Sequence, residues 1–272
     1  MASYAGRLSL AVLKKNAPLF GSLTRQFTLI SDWKTDGGFL LHHFLSYYLK
    51  CILMVGVSSG GRKVCFVALA QSFSHYNLIA QKLGVNLLSA RDGGQLVFLE
   101  GLRSYSDLLF SETPESDSHN PLRFLRTGAD LRPLYDFVSA ALAPSAGEEW
   151  AGPALLVDDL GMLMSLGVSP LRILDFLHYC RAGVCRDLQG DVVCLVHREE
   201  EDEDGEVLLR SLCHQSGRVL EAEGLTTGFC KDVHGQLKIT HKHPRDRSVV
   251  LQYKIQDKNV SFFAPGLSSA VL

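Results

Sequence analysis

An uninterrupted apolar run long enough to cross a bilayer is missing from this sequence. The longest apolar stretch, Phe39 to Val57, is broken by His42, His43, Ser46 and Lys50, groups that are costly to bury in hydrocarbon, so no membrane association is expected and the chain reads as soluble. A surplus of either charge is also missing: 27 basic and 29 acidic side chains leave a formal net charge of -2. No global field draws the chain to nucleic acid or to an anionic surface, and any nucleic-acid contact needs a local patch. Paired cysteine spacing is absent as well. None of the seven cysteines forms a C-x-x-C pair, and Cys65, Cys180 and Cys194 fall inside apolar runs, where free thiols pack as small hydrophobes and imply a reducing compartment. Finally, no acid precedes Asp32, whereas Arg7, Lys14, Lys15 and Arg25 do. That composition suits an ordinary N-terminal segment and also a mitochondrial transit peptide.

What the chain does have is apolar material, 46% of 272 residues, enough for one large core. Four short runs rich in Val, Leu and Phe, namely Phe27–Ile30, Lys63–Leu69, Ala154–Val157 and Val192–Val196, predict strands of a parallel sheet buried on both faces, because they do not alternate with polar residues. A fifth, Gln95–Leu99, follows the turn Asp92-Gly93-Gly94. Helical spacing fills the intervals at Phe39–Leu49, Tyr76–Leu83, Leu131–Leu142 and Leu171–Cys180, the last with Ser169 at the N-cap and Pro170 at the first helical position. Strand and helix alternate, which predicts right-handed βαβ units. After about residue 217 the pattern turns to strands joined by short turns: Arg218–Glu223, Phe229–Val233, Gln236–Thr240, Val249–Ile255 and Val260–Phe263. These predict a C-terminal antiparallel meander. Two polar stretches read as loops, Ser111–Asn120 and the acidic run Glu199–Glu206. The domain reading is an N-terminal segment over 1–26 followed by one α/β domain over 27–272, with an insertion at 51–62 and an acidic loop at 199–206.

The segment from Phe27 to Phe39 sits where a phosphate-binding loop would sit, after the first strand and before a helix. A working loop, G-x-x-x-x-G-K-[ST], aims backbone amides at phosphate and supplies a lysine for the β/γ-phosphates and a hydroxyl for Mg²⁺. Setting Gly37 or Gly38 on the second motif glycine puts Gly38 or Phe39 at the lysine position, then Phe39 or Leu40 at the hydroxyl position. Both chemical side chains are missing. Asp32 and Asp36 add negative charge, although Lys34 lies within the loop. Downstream, Pro153-Ala-Leu-Leu-Val-Asp158-Asp159 has the form in which P-loop enzymes present a Mg²⁺-holding aspartate at a strand end. The layout of a P-loop ATPase is therefore retained with a degenerate loop, and neither catalytic residues nor a cofactor is expected.

Other motifs weigh less. Gly56-Val57-Ser58-Ser59-Gly60 matches a nucleophile elbow, but that elbow leads into a helix and a strand follows here. Cys180/Cys185, His241/His243 and His42/His43 lack the paired spacing of a structural zinc site, so no metal is expected. The densest basic stretch, His241-Lys242-His243-Pro244-Arg245-Asp246-Arg247, reads as a solvated loop. Lys242, Arg245 and Arg247 remain its candidates for contacting RNA phosphates.

Lys34-Thr35-Asp36-Gly37, Lys63-Val-Cys-Phe-Val-Ala-Leu69, Gln71-Ser-Phe-Ser-His75-Tyr76, Gly228-Phe-Cys-Lys-Asp-Val-His-Gly-Gln236 and Tyr253-Lys-Ile-Gln-Asp-Lys258 resemble the Elongator complex protein 6 family. The similarity runs from about Phe27 to Leu272. Residues 1–26 and Cys51–Arg62 depart from the family pattern. The resemblance implies a RecA-like fold without intact nucleotide motifs. It also implies a heterohexameric ring built with two sister subunits that binds tRNA, a partnership with the Elongator catalytic subcomplex in wobble-uridine modification, and a cytoplasmic and also nuclear location. The competing expectation is an ATPase with an unorthodox loop, in which Lys34 contacts phosphate and Asp158 or Asp159 holds Mg²⁺.

Overall fold

The sheet begins at Phe27–Trp33 (β1), whose first six residues are all buried, so both of its faces need cover. In the computed structural model, which describes residues 25–50, 62–110, 120–127, 130–144, 152–200, 202–226, 230–242 and 246–266, cover comes from helices on each side. Along the chain follow α1 (Gly38–Lys50), β2 (Val64–Ala68), α2 (Phe73–Lys82), α3 (Leu87–Asp92), β3 (Leu96–Glu100), α4 (Gly101–Phe110), α5 (Phe124–Thr127) and α6 (Arg132–Leu142). Then come β4 (Ala154–Val157), α7 (Gly161–Ser165), α8 (Pro170–Arg181) with a π-helical continuation over Ala182–Asp187, β5 (Asp191–His197), α9 (Glu203–Gln215) and β6 (Arg218–Gly224). The chain closes with β7 (Gly235–His241), β8 (Arg247–Gln256) and β9 (Asn259–Phe263).

The nine strands form one sheet in the order β3-β2-β4-β5-β1-β6-β7-β8-β9. Pairing is parallel from β3 to β6 and antiparallel from β6 to β9. This is the predicted RecA-like α/β class, with its mostly parallel sheet, flanking helices and antiparallel end. Period-2 alternation divides the core: Leu29, Cys194 and Val157 face one side with α6, α8 and α9, and Ile30, Leu195 and Leu156 face the other with α1 and α2. No helix among the described residues is long and apolar enough to cross a membrane.

Two expectations need correction. Cys230–Val233 are not a strand; the partner that β7 needs is β6, which pairs with it from Gly224↔Gly235 onward. Glycine is required at that start, because a Cβ on Gly235 would collide with the Glu223 carbonyl and the Tyr253 hydroxyl. The acidic run 199–206 is not all loop either, since α9 starts inside it at Glu203. The Asp202 carboxylate caps α9 by accepting the Gly205 amide at 2.9 Å, and Glu203, Asp204 and Glu206 lie in its first turn, where negative charge favours the helix dipole. Ser169 does sit at the N-cap of α8 with extended backbone, but its hydroxyl makes no capping bond. The segments 1–24, 51–61 and 111–119, which include the nucleophile-elbow match, lie outside the described residues.

Candidate functional site

Neighbouring parallel strands β1 and β5 pass their chains to opposite faces of the sheet, β1 to α1 and β5 to α9. A crevice opens at the carboxyl ends of strands where such loops diverge, and it is where α/β sheets bind ligands. The degenerate loop, Lys34 to Gly37, occupies that place, with β4 and its terminal Asp158 and Asp159 one strand beyond β5.

The amides that would greet a phosphate are already engaged. At the start of α1 the Gly37 amide donates to Asp32 Oδ2 at 2.6 Å, and the Gly38 amide donates to Asp36 Oδ1 at 2.7 Å. The chain's own carboxylates thus fill the anion position that a helix N-terminus offers. Lys34, held at a positive φ of 56°, places its ammonium 4.0 Å from Glu200 and 5.5 Å from the Trp33 ring centroid. Asp158 is equally committed. Its Oδ1 accepts the Leu69 amide at 2.6 Å, and its Oδ2 accepts the Ala70 and Gln71 amides at 3.0 and 3.3 Å and the Tyr76 hydroxyl at 2.9 Å. Burial raises the Asp158 pKa despite these donors. Asp159 turns back to accept the Gly161 amide at 2.8 Å, and desolvation lifts its pKa to about 6.

One pair escaped the sequence reading. Asp32 and His197 are cross-strand partners in the β1–β5 register, and His197 Nδ1 lies 2.7 Å from Asp32 Oδ2. The hydrogen bond to Asp32 raises the His197 pKa to about 9, and Asp159 and Asp36 add to the effect. Asp32, Asp36 and His197 also bring one potential ligand atom each to within 4.8 Å of one another, and among the described residues they are the ones that could hold a divalent cation. Their carboxylates already answer backbone amides and the imidazole. The earlier metal candidates fare differently: Cys180 and Cys185 are buried thiols, with the Cys185 pKa raised by burial to about 12, and His42 and His43 are pushed down to about 3 and about 4 by burial. His243 lies outside the described residues.

The ion pair has a definite pH signature. His197 gains a partner on folding, so its contribution is complete below the ordinary imidazole pKa of about 6.5, fades above it and is gone above about 9. The imidazole is over a third exposed, which leaves about 1 to 2 kcal/mol. Asp159, whose pKa is likewise raised on folding, acts with the same sign in a lower window, losing stability as pH rises to about 6. The urea midpoint should therefore fall between pH 6.5 and 9.5, and His197→Gln should flatten that fall. An equal fall in both proteins would refute the assignment.

Of the predicted RNA contacts, Lys242 is half-buried directly after β7 and Arg247 is exposed at the start of β8. They flank one turn, since His241 pairs with Arg247. Arg245 lies outside the described residues.

Comparison with known proteins points one way. A sequence model of the family described as Elongation complex protein 6 matches residues 11–257. Elongator complex protein 6 of Xenopus laevis is 62% identical over 255 residues, covering 91% of this chain and 93% of that protein. The proteins of the same name from Homo sapiens and Danio rerio are 54% and 44% identical, with 91% and 90% of this chain and 93% and 92% of theirs aligned. Among solved structures, an uncharacterized Pyrococcus horikoshii protein in complex with an unknown peptide superposes with a TM-score of 0.55 at 12% identity, over 93% of this chain and 97% of that one. That likeness speaks to the fold alone.

Proposed function

The chain belongs to the Elongation complex protein 6 family, and from that premise we propose that it is a non-catalytic structural subunit of the Elongator complex. In this reading it joins two sister RecA-like subunits in a heterohexameric ring that binds tRNA and supports wobble-uridine modification by the catalytic subcomplex, in the cytoplasm and also the nucleus.

The observation that carries the non-catalytic part is the self-filled loop. Asp32 and Asp36 take the Gly37 and Gly38 amides, so a triphosphate would have to displace two carboxylates and then sit among Asp32, Asp36, Asp158 and Asp159. The competing ATPase reading needs Lys34 on a phosphate and Asp158 on Mg²⁺. Lys34 is drawn toward Glu200 and Trp33, and both Asp158 oxygens are already accepting hydrogen bonds. A RecA-like sheet with intact helix faces can still serve assembly without chemistry.

Native mass spectrometry of this chain co-expressed with the two sister subunits tests the proposal. A stoichiometric hexamer containing two copies of it is expected, and Lys34→Ala/Asp158→Asn should leave any ATP turnover of that particle unchanged. Recovery of this chain only as a monomer, or loss of turnover in the double variant, would overturn the reading. In the assembled particle, Lys242→Ala/Arg247→Ala should weaken tRNA binding and lower its salt dependence, because each removes a phosphate contact.

A further inference from the structure

At the opposite end of the central strands, away from the degenerate loop, lies a cavity of about 700 Å³. Its wall is made where β1 begins, α8 ends, α9 ends and β7 ends. Three guanidinium groups, Arg25, Arg181 and Arg186, and two imidazoles, His178 and His241, line it, and among the described residues no acidic one does. In a chain of net charge -2, such a concentration of one sign is self-repelling unless something negative enters.

Three features prepare the site. Arg181 donates one guanidinium N–H to the Gln215 carbonyl at 2.7 Å, which fixes the group while other donors remain for a ligand. Among the described residues Arg186 is engaged by the neighbouring exposed Asp187, at 2.9 Å, a surface ion pair of little strength. Cavity residues Ala182, Cys185 and Arg186 belong to the π-helical turn that continues α8, an uncommon geometry that recurs at functional sites. Beneath them, His241 is pushed toward its neutral form by burial and by the Arg218 charge, a sign of positive potential that an anion would relieve. Cys185 is no nucleophile here, its thiol being held protonated by burial.

We propose that this cavity binds phosphate esters, gripped by the Arg25, Arg181 and Arg186 guanidinium groups. Planar guanidinium forks match phosphate oxygens in pairs, and the volume suits a nucleotide-sized group better than a lone inorganic ion. Two sources share this chemistry, a free phosphorylated small molecule and the phosphates of an RNA strand. The second gains support from Lys242, whose amide donates to Gly217 at the cavity wall at 3.0 Å. The inference concerns the isolated chain and does not depend on ring assembly, so it can fail or hold independently of the proposed function.

The test is titration of the purified full chain with inorganic pyrophosphate and, separately, with a short single-stranded RNA, following the imidazole proton resonances of His178 and His241. Both resonances should move with at least one probe, and the His241 titration should shift to higher pH in the complex. Arg25→Glu/Arg186→Glu, at two exposed positions, should weaken binding by at least about tenfold. Lys82→Glu/Arg103→Glu, which makes the same charge change on other exposed positions, should weaken it far less. Similar affinity for the two probes assigns a small phosphorylated ligand; markedly tighter RNA binding assigns a nucleic-acid backbone. Unmoved His178 and His241 resonances with both probes, or equal weakening by the two double variants, would overturn the proposal.

Discussion

Asp158→Ala should lower the stability of the folded chain by about 3 to 5 kcal/mol, and Asp158→Asn by about 1 to 3 kcal/mol. The alanine variant leaves the amides of Leu69, Ala70 and Gln71 and the Tyr76 hydroxyl without the oxygens that now accept them. Asparagine keeps one oxygen for the Oδ2 set but turns an NH₂ toward the Leu69 amide, so one donor faces another. For a chain of this size the alanine loss corresponds to about 10 °C in melting temperature. A carboxylate kept for Mg²⁺ would behave in the reverse way, because neutralising it beside Asp159 and Asp32 relieves repulsion, and functional carboxylates are often removed with a gain in stability. Thermal and urea unfolding of the three proteins decide between the roles, and an unchanged or raised midpoint for Asp158→Ala would return this residue to the metal-holding reading.

What the sequence disclosed follows from how local each signal was. Ala154–Val157 was legible to the residue because all four side chains are fully buried and Pro153 and Asp158 bound the run. The start of α8 was legible because Pro170 declares a first helical position. By contrast α9 carried a usable signal that charge concealed. Leu208, Leu209 and Leu212 bury one face and Asp202 caps the helix, yet the surrounding acids read as solvated loop.

The candidate site divides along the same line. Asp36, Gly37 and Gly38 are neighbours in sequence, and their place before α1 could be read from motif spacing alone. The Asp32–His197 pair could not, because it joins residues 165 apart through a strand register that no local pattern specifies. The cationic cavity is still less legible, since Arg25, the helix end carrying Arg181 and Arg186, and His241 arrive from distant parts of the chain. Scattered along the chain, they fall below the threshold of any charge run.

A second large loss of stability is expected at the other end of the parallel strands, where β5 and β6 begin. Asp191 is 1% exposed, forms an ion pair with Arg62 and accepts the Gln26 amide at 3.3 Å. Arg218 is completely buried, donates to Thr28 Oγ1 at 2.9 Å and stacks 5.4 Å from the Phe44 ring centroid; burial lowers its pKa, and Asp191 and Tyr48 work against that shift. One carboxylate therefore balances two guanidinium groups, that of Arg218 fully buried and that of Arg62 partly so. Asp191→Ala removes the balance and keeps both cations, so it should cost about 3 to 5 kcal/mol, the range for breaking a buried pair from one side. Arg218→Met should cost less, because it removes a buried charge, supplies apolar bulk against Phe44 and leaves Asp191 with Arg62. Urea unfolding of both variants checks the order. If Arg218→Met proves the more damaging, the guanidinium is held chiefly by Thr28 and the aromatic ring, and Asp191 is not its counter-ion.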